Sequence, residues 1–157
     1  MSGFRRGIRL GIDVGKARVG VARCDPDGML AVPVETVPRS DTSVERIAEL
    51  CGEWEPIELV VGLPVNMRGE ETLSTTDARQ FAAALGERTG LPVRMVDERL
   101  STVSAHSALR SSGRSQKNSR SIVDQVAAVV LLQHAIDTEK STGNPAGAII
   151  ETSEEHS

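Results

Sequence analysis

Ile8, Leu10, Ile12 and Val14 are apolar, and Arg9, Gly11 and Asp13 fall between them. A period of two marks a strand with one face on a core. Val19 and Val21 begin a second such run after a turn of Gly15, Lys16 and Ala17, so residues 8–22 predict a β-hairpin. Asp25-Pro26-Asp27-Gly28 is a strong turn signal, and residues 29–37 predict a third strand, with Pro33 and Pro38 suited to an edge. The period then changes. Val44, Ile47, Ala48 and Cys51 recur at helical spacing behind Thr42 and Glu45, which are spaced as a capping box. Residues 57–61 predict a short buried strand stopped by Gly62-Leu63-Pro64, and residues 65–71 a polar, mobile loop. Ser74 and Asp77 form a second capping box before a helix with Ala78, Phe81, Ala82 and Leu85 inward. Residues 93–96 predict the last strand, which delivers Asp97 and Glu98 at its end. A helix over 101–110 follows, then a flexible basic loop over 111–120. The final helix is predicted over 121–138, with Val123, Val126, Ala127, Val130, Leu131 and His134 inward.

Three hairpin-linked strands, then two strands reached through helices, predict an α/β fold. Its sheet is five-stranded and mixed, a three-strand antiparallel meander plus two parallel strands, with helices on both faces. The folded domain is expected over 1–140, with a disordered acidic tail over 141–157. Aromatic residues make up only 2% of the 157 residues, so the core is aliphatic. The chain can hardly supply an aromatic stacking platform for single strands. The net charge of −4 argues against a polyanionic partner until its distribution is considered. Residues 1–24 hold six basic residues and only Asp13 as an acid, and residues 99–123 hold five basic residues and no acid. A local basic face can draw a polyanion to an acidic protein. Cys24 and Cys51 have no metal-ligand spacing, no secretory leader is evident, and no apolar run approaches the ~18 residues of a membrane span. A cytoplasmic, membrane-free protein is expected.

Three acids stand where they could converge: Asp13 near the end of the first strand, Glu98 or Asp97 at the end of the last, and Asp124 in the first turn of the final helix. Ligands of α/β sheets sit beyond the carboxyl ends of parallel strands. Gly15 and Gly20 leave room above Asp13. Carboxylates without nearby Cys or His suit a hard cation, Mg²⁺ or Mn²⁺, and two such ions ~4 Å apart drive phosphodiester cleavage. Lys16, Arg18, Arg99, Arg114, Lys117 and Arg120 are placed to hold phosphates. Each acid also has a purely structural reading. Ser121 and Asp124 could form a third capping box, and Asp97-Glu98-Arg99 a surface ion-pair cluster. His106, His134 and His156 point to no chemistry.

Asp13-x-Gly15-x-x-Arg18-x-Gly20-x-Ala22, Gly62-Leu63-Pro64 with Asn66 and Gly69, Asp97-Glu98-Arg99-Leu100-Ser101, and Lys117, Asp124, Ala127 and Ala128 together resemble the bacterial YqgF (RuvX) family. The resemblance runs from about residue 8 to 137. It implies an RNase H-like fold related to Holliday-junction resolvases. It also implies a nuclease that matures the 5′ end of pre-16S ribosomal RNA in the cytoplasm. Its catalytic and metal-binding acids would be Asp13, Glu98 and Asp124, and the choice of Glu98 over Asp97 rests on the resemblance. Asn66 joins the basic residues named above as a substrate contact. Ser101 stands where Thr is more usual, and Arg68 where an acid is common. Partners implied are structured RNA or branched DNA and a ribosomal precursor particle, met as a monomer or homodimer. The alternatives are a dimeric Holliday-junction resolvase and a non-catalytic RNA-binding module. A sugar-kinase-type phosphotransferase would need two such domains.

Overall fold

The computed structural model describes residues 4–100 and 116–150, and for Leu100 and residues 116–124 it describes the backbone alone. Strand β1 (Arg9–Val14) pairs antiparallel with β2 (Arg18–Cys24), and β2 with β3 (Ala31–Pro38). The β2–β3 register slips between Val21 and Ala22, a bulge that fits Pro33 into an edge strand. Helix α1 (Ser43–Trp54) crosses to β4 (Glu58–Leu63), which lies parallel to β1. Helix α2 (Leu73–Thr89) crosses to β5 (Val93–Asp97), parallel to β4. A 3₁₀ turn, Glu98–Leu100, follows β5. Helix α3 (Gln116–Thr142) then leads to β6 (Ala148–Ile149), antiparallel to β5. The sheet order is β3-β2-β1-β4-β5-β6.

The meander and the parallel strands are as predicted, and β6 is an addition. Residues 141–150, expected to be disordered, continue α3 and then wrap the edge of β5. Ala146 packs on one face of the sheet and Ile150 on the other, and the Ile150 N–H donates to the Val93 carbonyl at 2.8 Å. Gly147 makes this approach possible. Its φ is +73°, and a Cβ there would stand 2.9 Å from the Met95 carbonyl carbon. Two residues of strand are too few to show as a period in the sequence.

Helices α1 and α2 cover one face of the sheet, where Leu10, Ile12, Leu59 and Val61 are buried against Ile47, Phe81 and Leu85. Helix α3 covers the other, with Ala128, Leu131, Leu132, Ala135 and Ile136 on Ala22, Val60 and Val96. This stripe differs from the predicted one, since Val126, Ala127, Val130 and His134 are only half-buried. An alanine- and valine-rich helix offers more than one apolar stripe, and Gly11 selects between them. A Cβ on Gly11 would collide with the Leu132 Cβ at 2.8 Å and the Ala128 carbonyl oxygen at 2.9 Å, so α3 rests on bare β1 backbone. Cys24 and Cys51 are both free and lie in the cores on opposite faces, which rules out a bond between them.

The predicted capping boxes are not formed. Thr42 makes no side-chain cap, and Glu45 instead pairs with Arg88 of α2 at 2.7 Å. Helix α2 starts one residue before Ser74, and the Thr72 N–H donates to Thr75 Oγ1 at 2.9 Å. Nor do the N-terminal arginines form a basic face. Arg5 forks between Glu58 and Glu139 at 2.8 Å each. Arg9, only 2% exposed, pairs with Glu139, Arg94 pairs with Glu58, and Arg6 with Asp27. This ionic network closes the end of the sheet where β1 and β4 begin.

Candidate active site

The carboxyl ends of the parallel strands form the opposite end. Ile12 pairs with Val61, and Gly62 with Val96. The next residue of β1 is Asp13, so Asp13, Gly62 and Val96 lie in one row across three adjacent strands. On the other side Asp13 pairs with Gly20, and Gly20 with Thr36. Gly11 and Val60, two residues back, face α3. Side chains alternate along a strand, so Asp13 also stands on the α3 face.

Glu98 reaches the same place from β5. It follows Val96 by two, and Val96 is buried on the α3 side. A Cβ on Gly62 would lie 2.9 Å from Glu98 Cγ and 3.1 Å from Cδ. The Glu98 side chain therefore lies across bare β4 backbone, beside the strand that bears Asp13. Adjacent strands are ~4.8 Å apart. This answers what alternation in the sequence left open, because Asp97 takes another direction. It accepts the Arg99 guanidinium at 2.7 Å and the Arg99 backbone N–H at 2.8 Å, and the guanidinium holds its carboxyl below the usual carboxylate range.

Residue 124 lies eight residues inside α3, which begins at Gln116, about two turns in rather than in the first turn. A Ser121–Asp124 capping box is therefore excluded, and so is a flexible loop over residues 116–120. Gln125 Nε2 donates to Thr36 Oγ1 at 2.9 Å, and Thr36 belongs to the row that contains Asp13. Ala128, one turn further on, sits at Gly11. The backbone of residue 124 thus lies level with Asp13 and in line with Ala128, four residues apart on one face of the helix.

The hairpin turn beside Asp13 is held from the far side of the sheet. Arg39 donates through Nη1 to the Gly15 carbonyl at 2.9 Å and through its backbone N–H to the Ala17 carbonyl at 2.9 Å. Asp77 of α2 grips the same guanidinium at 2.9 and 3.0 Å. The Arg39 guanidinium, and then the Lys16 charge, keep the Asp77 carboxyl below its usual range. Lys16 is exposed in this turn and Arg18, at the head of β2, is half-buried. Nothing local in the sequence marks Arg39 or Asp77 for this clamp, because they are 38 positions apart.

Asn66 and Arg99, expected as substrate contacts, both have partners within the protein. Asn66 Oδ1 accepts the N–H groups of Arg68 at 3.0 Å and Glu70 at 2.9 Å, and its Nδ2 donates to Glu70 Oε1 at 3.0 Å. The loop predicted to be mobile is thus tied to itself, with a Val65–Glu71 bridge and Gly69 at φ +83°. Arg99 lies over Gly69 and reaches the Met67 carbonyl at 3.5 Å, while its charge is met by Asp97. Lys117 and Arg120 are in the first turns of α3. Arg114 and the helix predicted over 101–110 lie outside the described residues. The acids brought together are Asp13 and Glu98, an all-oxygen pair that fits a hard divalent cation. No group of three or more potential metal ligands forms among the described residues. No helix among them is long and apolar enough to cross a membrane.

The model of one protein family, described as RuvX: Holliday junction resolvase, matches residues 7–138. A protein of Clavibacter michiganensis subsp. michiganensis named "Putative pre-16S rRNA nuclease" is 54% identical over 150 residues, covering 94% of this chain and 93% of its own. A protein of the same name from Streptomyces coelicolor is 49% identical over 151 residues, covering 94% and 90%. Among solved structures, T. thermophilus RuvC in complex with Holliday junction substrate superposes with a TM-score of 0.55 at 17% identity, over 88% of this chain and 98% of that one. The RNase H-like fold expected from the sequence is thereby found, with six strands rather than five.

Proposed function

The chain belongs to the RuvX family, and from that membership and the geometry of its acids we propose that it is a metal-dependent nuclease that processes the 5′ end of pre-16S ribosomal RNA in the cytoplasm. The observation that carries this reading is the convergence of Asp13 and Glu98 on the α3 face, made possible by Gly62. A purely structural Asp13 or Glu98 would not require bare backbone between them.

Asp13 and Glu98 would hold the cation from neighbouring strands, and Asp124, level with them on α3, would supply a third carboxylate. Bound divalent ions supply an activated water and stabilise the leaving oxygen. Lys16 and Arg18 flank the Asp13 strand end and would fix the phosphate on either side of the cut bond, as charge-assisted hydrogen bonds to phosphate do. The clamp from Arg39 and Asp77 keeps that turn in place when a polyanion pulls on it. Arg114, Lys117 and Arg120 extend the same role along the substrate.

The test sets a labelled precursor 5′ segment of 16S rRNA beside a four-way DNA junction, each with Mg²⁺, Mn²⁺ or EDTA, and compares wild type with Asp13→Asn. Metal-dependent cutting of the RNA alone, lost in Asp13→Asn, is expected. Cutting of the junction alone would make the protein a resolvase. Tight binding in EDTA with no cutting of either would make it a binding module.

A further inference from the structure

Met67 is 90% exposed and Leu73 88% exposed, the two most exposed large apolar side chains among the described residues. Single exposed apolar residues are common and need no explanation. The setting of Met67 is different, because its loop is built. Asn66, the residue before it, accepts the N–H groups of Arg68 and Glu70 beyond it, the Val65–Glu71 bridge closes the loop, and the Arg99 guanidinium backs it against Gly69. At 90% exposure Met67 buries almost no apolar surface, so its side chain adds little to folding. The charges around it are sorted as well. Glu70 is engaged by Asn66 and Glu71 by Arg79 at 2.7 Å. The exposed Arg68 side chain makes no hydrogen bond or ion pair among the described residues.

The loop is continuous with the carboxylate site. Arg99, which touches the Met67 carbonyl, is the residue after Glu98. Met67 is five residues beyond Gly62, so it lies at most ~18 Å from the backbone that Glu98 covers. Stacked nucleotides repeat every ~3.4 Å along a strand, which places Met67 within about five nucleotides of a phosphate held at the site. Methionine is among the apolar side chains that proteins insert between base steps, unstacking them while flanking cations hold the backbone.

We propose that Met67 is a base wedge. It enters between two neighbouring bases of the nucleic-acid substrate, a few nucleotides from the cut, with Arg68 on the adjoining phosphate. The assignment rests on the nuclease reading above, and it makes local unstacking part of substrate selection. A protein partner seated on the same loop is less suited to it, because Arg68, whose charge no carboxylate meets among the described residues, stands beside Met67 and favours a phosphate.

The experiment uses the full chain with Asp13→Asn, which keeps the RNA whole, and a series of precursor RNAs carrying 2-aminopurine at successive positions. A fluorescence rise of several-fold is expected at one step near the cut. It should vanish with Met67→Ala and persist with Met67→Leu. In single-turnover cleavage with Asp13 intact, Met67→Ala should slow a paired substrate at least ~tenfold, since unstacking a step costs more than a tenfold rate change is worth. A mismatch at the same step should restore the rate. No rise at any position, a rise that survives Met67→Ala, or an equal slowing of paired and mismatched substrates would overturn the wedge. So would loss of binding to a ribosomal precursor particle with cleavage and fluorescence unchanged, which would make the loop a protein contact. Failure of the nuclease reading looks different, because wild type then cuts nothing with either metal while the fluorescence series still reports on Met67.

Discussion

Replacing Gly62 by alanine adds one methyl group in the middle of the site and removes no functional atom. The new Cβ would stand 2.9 Å from Glu98 Cγ and 3.1 Å from Cδ, where ordinary contacts are 3.4–4 Å. The β4 backbone cannot give way, because parallel ladders to β1 and β5 hold both of its edges. Glu98 has to retreat by roughly half an ångström or more, and misplacing a catalytic group by ~1 Å costs about 10²-fold in rate. A slowing of roughly 10- to 100-fold in single-turnover cleavage is therefore expected. The overpacking itself costs about 1–3 kcal/mol, which at 2–4 °C per kcal/mol lowers Tm by no more than ~12 °C. RNA binding in EDTA should be unchanged. The two effects are separated by Glu98→Asp, which retracts the carboxylate by one methylene. If the clash is the cause, Glu98→Asp will cost less in the Gly62→Ala background than alone, a non-additivity characteristic of touching residues. Gly52→Ala in α1 is the control, since nothing lies within 4 Å of its Cβ and helix propensity favours alanine by up to ~1 kcal/mol. Gly62→Ala cleaving at the wild-type rate, with Glu98→Asp costing the same in both backgrounds, would refute the placement of Glu98 over β4.

Glu139→Ala leaves the buried Arg9 guanidinium without its carboxylate, which should cost roughly 3–5 kcal/mol and lower Tm by about 6–20 °C; a fall under ~3 °C by calorimetry would show that the network is dispensable. Burial works to raise the Glu139 carboxyl, but the hydrogen bonds from Arg5 and the Arg9 charge prevail and hold it below the ordinary value. Its stabilisation is therefore complete above the unfolded value of about 4.3 and is lost as pH falls through the depressed folded value. The wild-type acid limb should accordingly be steeper than that of Glu139→Gln in urea titrations from pH 6 to 2. Burial also pushes the Cys51 thiol up to about 11 and raises that of Cys24, so iodoacetamide at pH 8 should label neither in the folded protein and both in guanidinium; rapid labelling of the native protein would contradict their packing.

Much of the architecture was legible because it is written locally. Alternation along 8–22 and the turn at Asp25-Pro26-Asp27-Gly28 mark the meander, and the spacing of apolar residues marks the two crossover helices. What stayed hidden depends on partners far along the chain. Arg5 and Arg9 read as part of a basic face because their partners, Glu58 and Glu139, are 53 and 130 residues away. The stripe of α3 could not be chosen from an alanine- and valine-rich run, since the choice is made by Gly11, a residue more than a hundred positions earlier that has no side chain to show in a pattern. The spacing of Glu45 and Asp77 suits capping boxes, but each is engaged by an arginine distant in the chain, Arg88 and Arg39.

The glycines of the site make the point most sharply. In the sequence Gly62 reads as punctuation, the end of a strand before a proline, because glycine in a strand weakens it and a turn signal follows. In the sheet it is the middle of a row, and its missing side chain is the space that Glu98 occupies beside Asp13. A motif search finds the two acids and the glycine as three separate letters. Register makes them one object, because only a parallel β1–β4–β5 arrangement aligns Asp13, Gly62 and Val96 and then lets the chain turn Glu98 back across the strand between. The same row reaches α3 through Gly20, Thr36 and Gln125, so the helix that carries residue 124 is indexed to the sheet at the level where the acids stand. The capping reading of Asp124 requires a helix that begins at Ser121, and α3 begins at Gln116. With α3 extended back to Gln116, a cap has no place there, and the backbone of residue 124 stands two turns inside the helix, level with the row that holds Asp13.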